Sequence, residues 1–135
     1  MSFSNTAETA INTYLFVGTA VPWAANTELW LALHTADPGD AGSAVTSEAT
    51  FGGYARVTLT RASDLTVSGP TVQNTNLEQF AVCSSGSNTI THVSIVTTAS
   101  GAGTVIVKGA LNASISVVAG IQCQFSAAAL VFTLD

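Results

Sequence analysis

Charge is what this chain has least of. Only 8% of its 135 residues are Asp, Glu, Lys or Arg, against about a quarter in ordinary soluble domains. The cations are Arg56, Arg61 and Lys108, and the formal net charge is −5. Gripping a phosphate backbone takes clustered Lys and Arg that release counterions, and three scattered cations build no such stripe. Nucleic acid is therefore not an expected partner, and an anionic membrane surface is disfavoured for the same reason. Long hydrophobic runs are missing too: none reaches the roughly 18–20 residues that span a bilayer. Glu8 stands where a secretory signal would want Lys or Arg, so export is not expected and the acceptor pattern Asn112-Ala113-Ser114 is read as coincidence. Cysteine is scarce. Cys83 and Cys123 are too few for a disulfide framework. Each lies among apolar neighbours in a strand-like segment, which suits a reduced, buried thiol. A bridge between them stays open if their strands adjoin.

Recognisable catalytic patterns are also wanting. The chain has no nucleophile elbow, no phosphate-cradling glycine loop and no zinc-protease histidine pair. His34 and His92 sit at the ends of strand-like segments and read as hydrogen-bonded structural residues. No CxxC or Cys-His spacing suggests a metal. Asp37 and Asp40 flank Pro38-Gly39, but calcium wants six to eight oxygens in a regular loop. The simpler expectation is that Asp37 accepts a hydrogen bond from the amide two residues on. Carboxylate pairs for a glycan-cleaving enzyme, Glu48 with Asp64 or Glu28 with Glu78, have no support from spacing. No catalytic residue, cofactor or metal is assigned.

What fills the chain instead is Ser, Thr, Asn and short β-favouring runs. The length fits one domain that buries roughly two-thirds of its unfolded surface. A surface of hydroxyls rather than charges suits a subunit packed against neighbours, and equally a stable β domain that tolerates few charges. Composition does not decide between them. The spacing of Ala7, Ala10, Ile11, Tyr14 and Leu15 predicts one helix. Asn5 is its expected cap, with Glu8 three residues on, and Gly18 its terminator. So short a helix must dock, onto its own sheets or onto another subunit.

Strands are predicted at 28–34, 54–61, 64–68, 77–83, 90–97, 103–109, 113–118, 121–126 and 129–134. Alternation is clearest at Ile121, Cys123 and Phe125, and at Leu130, Phe132 and Leu134. Hairpin connections are expected at Ser100–Gly103 and Val118–Gly120. The expected fold is all-β, a jelly-roll-like β-sandwich with a short N-terminal helix. An immunoglobulin-like sandwich is the runner-up. Residues 1–22 form the helical arm and 23–135 the sandwich of a single compact domain.

The most informative stretch is LWLALHTADPGDAG (29–42), followed by FGGYARVTLTR (51–61). A buried strand is stopped by Asp37-Pro38-Gly39, a polar loop follows, and a second strand restores direction. Val57 and Leu59 face one way, while Arg56, Thr58 and Thr60 face outward. Arg61 reaches the rim, and either Arg suits a bidentate pair with a partner's carboxylate. Trp23, Trp30, Phe51 and Tyr54 read as core.

These motifs resemble a family of small tailed-bacteriophage structural proteins, in which an ALHTADPG strand-and-turn precedes a GYARV strand. The likeness extends to SNTAETAINTYLF, to residues 91–111 and to residues 119–135. It implies a virion protein of the capsid cement (decoration) type that binds the capsid exterior and bridges neighbouring major capsid proteins. For such a subunit symmetry favours a homo-dimer or homo-trimer on a local axis. Relatives labelled as tail-fibre proteins make a small tail or tail-fibre adaptor the alternative. A carbohydrate-binding module is a more distant reading. Candidate contact elements are loops 37–53 and 84–89 with the N-terminal arm, and the candidate partner-binding residues are Asp37, Asp40, Glu48, Tyr54, Arg56 and Arg61.

Overall fold

The computed structural model describes residues 1–133. Its elements run β1 (Ser2–Phe3), α1 (Asn5–Val17), β2 (Glu28–His34), β3 (Val57–Thr60), β4 (Leu65–Ser68), β5 (Thr71–Asn74), β6 (Glu78–Gln79), β7 (Ser87–Val96), β8 (Val105–Val118), β9 (Gln124–Phe125) and β10 (Val131–Thr133). They form a five-stranded sheet ordered β1-β8-β7-β2-β3, a three-stranded sheet ordered β10-β5-β4, and the pair β6-β9. The expected all-β sandwich with one short N-terminal helix is present.

The run Leu29–Leu33 lacks alternation because both faces of β2 are covered. Leu29, Leu31 and Leu33 join Leu59, Val93 and Ile95 in the main core. Ala32 packs on the other side with Ala44, Val96 and Val105, and Trp30 leans on that cluster. Across the main core, Leu65, Val72 and Phe132 of the three-stranded sheet face Leu29, Ile95 and Val107 around a small apolar cavity of about 140 Å³.

The longest hairpin joins β7 to β8, with Ser100–Gly103 in the connection as expected. Residues 103–109 and 113–118, expected as two strands, belong to one. The break survives as a slip in register: His92 pairs with Ala110 and Ile90 with Ile115, so Thr91 alone faces Leu111–Ser114. Segments 54–61, 77–83 and 121–126 keep only Val57–Thr60, Glu78–Gln79 and Gln124–Phe125 in strands. The last expected strand forms at Val131–Thr133, and Leu134 lies outside the described residues. β1 and β5 were not expected. β5 follows a Gly-Pro turn with only Val72 apolar, and pairing on both sides by β4 and β10 holds it extended.

The helix starts at Asn5 itself, the residue expected to cap it. Ser4, not Asn5, is the N-cap, with its hydroxyl accepting from the Ala7 amide at 3.2 Å. The same hydroxyl donates to the Val105 carbonyl and fastens the cap to β8. Glu8 then stands in the fourth helical position, one too late for a capping box. Gly18 ends the helix at φ 82°. Only the N-terminal part docks: Ala7 is buried and Ala10 and Ile11 half-buried, whereas Tyr14 and Leu15, expected on the docked face, are 55% and 63% exposed.

Candidate functional site

The six candidate residues fall into three places. The first is built by FGGYAR. A Cβ on Gly52 would lie 2.2 Å from the Ser85 hydroxyl and 3.1 Å from the Ser85 backbone nitrogen, so glycine is what lets the two loops close without displacing the serines. Gly52 then bonds both serines through its backbone, donating N–H to the Ser85 carbonyl at 2.8 Å and accepting from the Ser84 N–H at 2.9 Å. The Asn88 side chain adds a clamp by accepting from the Thr50 and Phe51 amides at 2.8 and 2.9 Å. This closure aims Tyr54 inward, between the edge of Phe51 and the face of Phe80, with centroids 5.4 and 6.1 Å away.

At the end of that stack Tyr54, Glu48 and Arg56 meet. The Tyr54 hydroxyl accepts from the Leu33 amide at 3.1 Å and donates to Glu48 Oε1 at 2.9 Å. Arg56 grips both Glu48 oxygens, Nε to Oε1 at 2.6 Å and Nη2 to Oε2 at 2.8 Å. Its remaining donors reach the Thr98 and Gly101 carbonyls at 2.9 and 2.8 Å and the Thr98 hydroxyl at 3.1 Å. The Arg56 side chain is 2% exposed, which corrects the expectation of an outward, solvated charge. β3 begins only at Val57, so strand alternation does not govern Arg56, and the guanidinium folds back under the loops. The Glu48 carboxylate lifts the Arg56 pKa above its ordinary value. Burial pushes the Tyr54 phenol well above its own.

The second place is the ADPGD turn. The Gly39 amide donates to Asp37 Oδ1 at 2.8 Å, the expected turn bond. Lys108 of β8 reaches Asp37 at 2.8 Å and Asp40 at 3.0 Å, with its own side chain only 9% exposed. The Lys108 contact holds the Asp37 carboxyl below the usual range, and Lys108 is raised in return. The third is Arg61, which stands alone. Its Nη1 donates to the Trp23, Ala24 and Asn26 carbonyls at 3.3, 3.2 and 2.8 Å, clipping the turn before β2. The fork of Arg56 is taken by Glu48, whereas Arg61 is exposed and uses Nη1 on backbone carbonyls.

Sequence reasoning missed Lys108, which lies 71 residues from Asp37, and the carbonyl cradle around Arg56. No local pattern announces either. His34 is fully buried, with Nδ1 2.9 Å from the Thr46 carbonyl and Nε2 2.7 Å from the Ser94 hydroxyl. Burial lowers its pKa. Cys83 and Cys123 are buried free thiols on adjoining segments, and burial raises Cys123. Glu78 is 5% exposed, its Oε1 unpartnered, and burial, then the charge of Asp64, raises it. The candidate contact elements do share a neighbourhood, since loop 37–53 bonds the helical arm through Asp40–Asn5 and loop 84–89 through Gly52–Ser85. Chemically these clusters act as fasteners that fix loop shape.

Residues 2–133 match the model of a protein family described as Podophage GP4 fiber I protein gp80. No curated protein matches the chain. The description names a bacteriophage component, as the sequence motifs imply, and it names a fibre where those motifs suggested a capsid cement.

Proposed function

The chain belongs to the podophage GP4 fiber I protein gp80 family, and on that premise we propose that it is a small structural subunit of the virion's fibre apparatus. The observation that carries this reading is the extent of the match, which takes in nearly all of the 135 residues. Physical chemistry supports a packing role over a catalytic one. All three cations make hydrogen bonds within the chain, and the loops carrying the resemblance motifs are pinned by the buried Arg56–Glu48 pair and by the Lys108 bridge to Asp37 and Asp40. A rigid surface of hydroxyls, amides and apolar groups loses little entropy on docking. Its partners in this reading are other fibre or tail proteins and further copies of itself, with no nucleic acid, membrane or cofactor assigned. A capsid-exterior position bridging major capsid proteins rests on the motif resemblance, and one experiment decides between the two. In a reconstruction of the parent virion, density for this chain is expected in the tail fibres. Density confined to the outside of the capsid shell would overturn the fibre assignment.

A further inference from the structure

The last turn of α1 is apolar all round and stands in water. Tyr14, Leu15, Phe16 and Val17 are 55%, 63%, 83% and 73% exposed. Successive helical residues are about 100° apart, so four in a row cover most of the circumference. Their joint exposure means that this turn projects clear of the domain. A turn that is hydrophobic all round is ordinarily buried. This one leaves on the order of 500 Å² of side chain uncovered, at the upper end for the largest apolar patch of a monomer.

The hollow that fits it lies on the same helix. A groove of about 510 Å³ runs between α1 and the following segment, lined by Thr6, Thr9, Ala10, Thr13 and, opposite, Ala20 and Pro22. Thr6, Thr9, Ala10, Thr13, Phe16 and Val17 recur at helical spacing and share one stripe beside the docked face, with Ala10 at its edge touching both the core and the groove. Small side chains fill its first half and large apolar ones its second. Phe16 lies about 4.5 Å along the axis to one side of Thr13, and Thr9 and Ala10 about 4.5–6 Å to the other. The stripe is therefore complementary to itself when reversed.

We propose that two copies of this chain associate through antiparallel α1 helices about a two-fold axis near Thr13, each Phe16 seated in the groove over the other copy's Thr9 and Ala10. A two-fold contact is self-complementary by construction, which is what one helix bearing both projection and hollow provides. Phe16 and Val17 of both copies with the two grooves together cover on the order of 1,000 Å², about the least a specific interface needs. Residues 9–27 hold no charged side chain. Nothing there repels an identical copy, and nothing there selects a charged partner. The pairing does not depend on where in the virion the protein sits.

The test is the solution mass of the full chain, by sedimentation equilibrium at up to about 100 μM, for wild type and two surface variants. Wild type is expected at twice the chain mass. Phe16→Asp and Thr9→Arg should each weaken the dimer at least tenfold with unchanged circular dichroism. Mixing the two variants should restore a heterodimer, because the new Asp then faces the new Arg while the second Phe16 seat is intact. A monomeric wild type, a dimer indifferent to Phe16→Asp, or a mixture that stays monomeric each overturns the proposal. So does a Phe16→Asp chain that keeps the wild-type mass but is lost from virions, since another protein would then cover this turn.

Discussion

Arg56 shows how much one side chain can hold. Its guanidinium joins the Glu48 loop to the β7–β8 connection through Thr98 and Gly101. Arg56→Ala leaves the mostly buried Glu48 carboxylate without its counter-charge, and a loss of about 3–5 kcal/mol is expected. Arg56→Lys should recover only part of it, because an ammonium cannot fork across both oxygens. Urea midpoints for the two variants check both statements. Glu78 runs the other way. Its folded pKa lies above the unfolded value, so the penalty for ionising it is absent below the unfolded pKa and grows as pH rises through the folded one. Glu78→Gln should therefore stabilise the chain by about 1 kcal/mol at neutral pH. The gain should vanish in acid, where wild-type Glu78 is protonated anyway. A neutral-pH unfolding free energy below wild type would refute this account of Glu78.

Among the elements, the loop closure at Gly52 is the sharpest constraint. Any side chain there must push Ser84 and Ser85 aside, with the Ser85 backbone nitrogen 3.1 Å from the new Cβ. Gly52→Ala should cost about 1–3 kcal/mol and open residues 84–86 to limited proteolysis. A cleavage pattern identical to wild type would show that the loops close without this contact. Element readings that rest on local pattern succeed. β2, the β7–β8 connection and the Gly18 terminator are legible because apolar runs and turn residues announce them. The failures are equally physical. Helical spacing identified an apolar stripe on α1 but not that the domain stops covering it after Ile11. β8 looked like two strands because a bulge breaks alternation just as a loop does. The partners in the Lys108 bridge, and the Thr98 and Gly101 carbonyls around Arg56, lie tens of residues distant, which no window can hold. Glu48 is eight residues from Arg56 but sits in a loop whose path no periodicity gives.

For the molecule as a whole, pH is the informative variable. His34 is buried with its pKa below the ordinary 6.5. The folded state keeps it neutral, and its contribution is full above the unfolded pKa. As pH falls below that value the unfolded chain takes up a proton that the folded chain refuses, and stability drops. Asp37 and Asp64, both held low by hydrogen bonds, lose their contributions only at more acid pH, through their own folded values. Stability should thus decline between about pH 7 and 5, and His34→Gln should flatten that slope. A wild-type stability that is level across this interval would exclude the His34 account.

The internal engagement of Arg56, Arg61 and Lys108 has an outward consequence. With Arg56 and Lys108 paired to carboxylates and Arg61 a single exposed cation, no positive patch steers encounters, and they proceed at the slower pace of neutral surfaces. The net charge of −5 makes two copies repel at long range, and added electrolyte screens repulsion as readily as attraction. Raising ionic strength from about 50 mM to 1 M should leave self-association equal or tighter, the reverse of an ion-paired interface. Sedimentation across that range reads the sign directly, and a contact of this kind would hold in fresh water and brine alike.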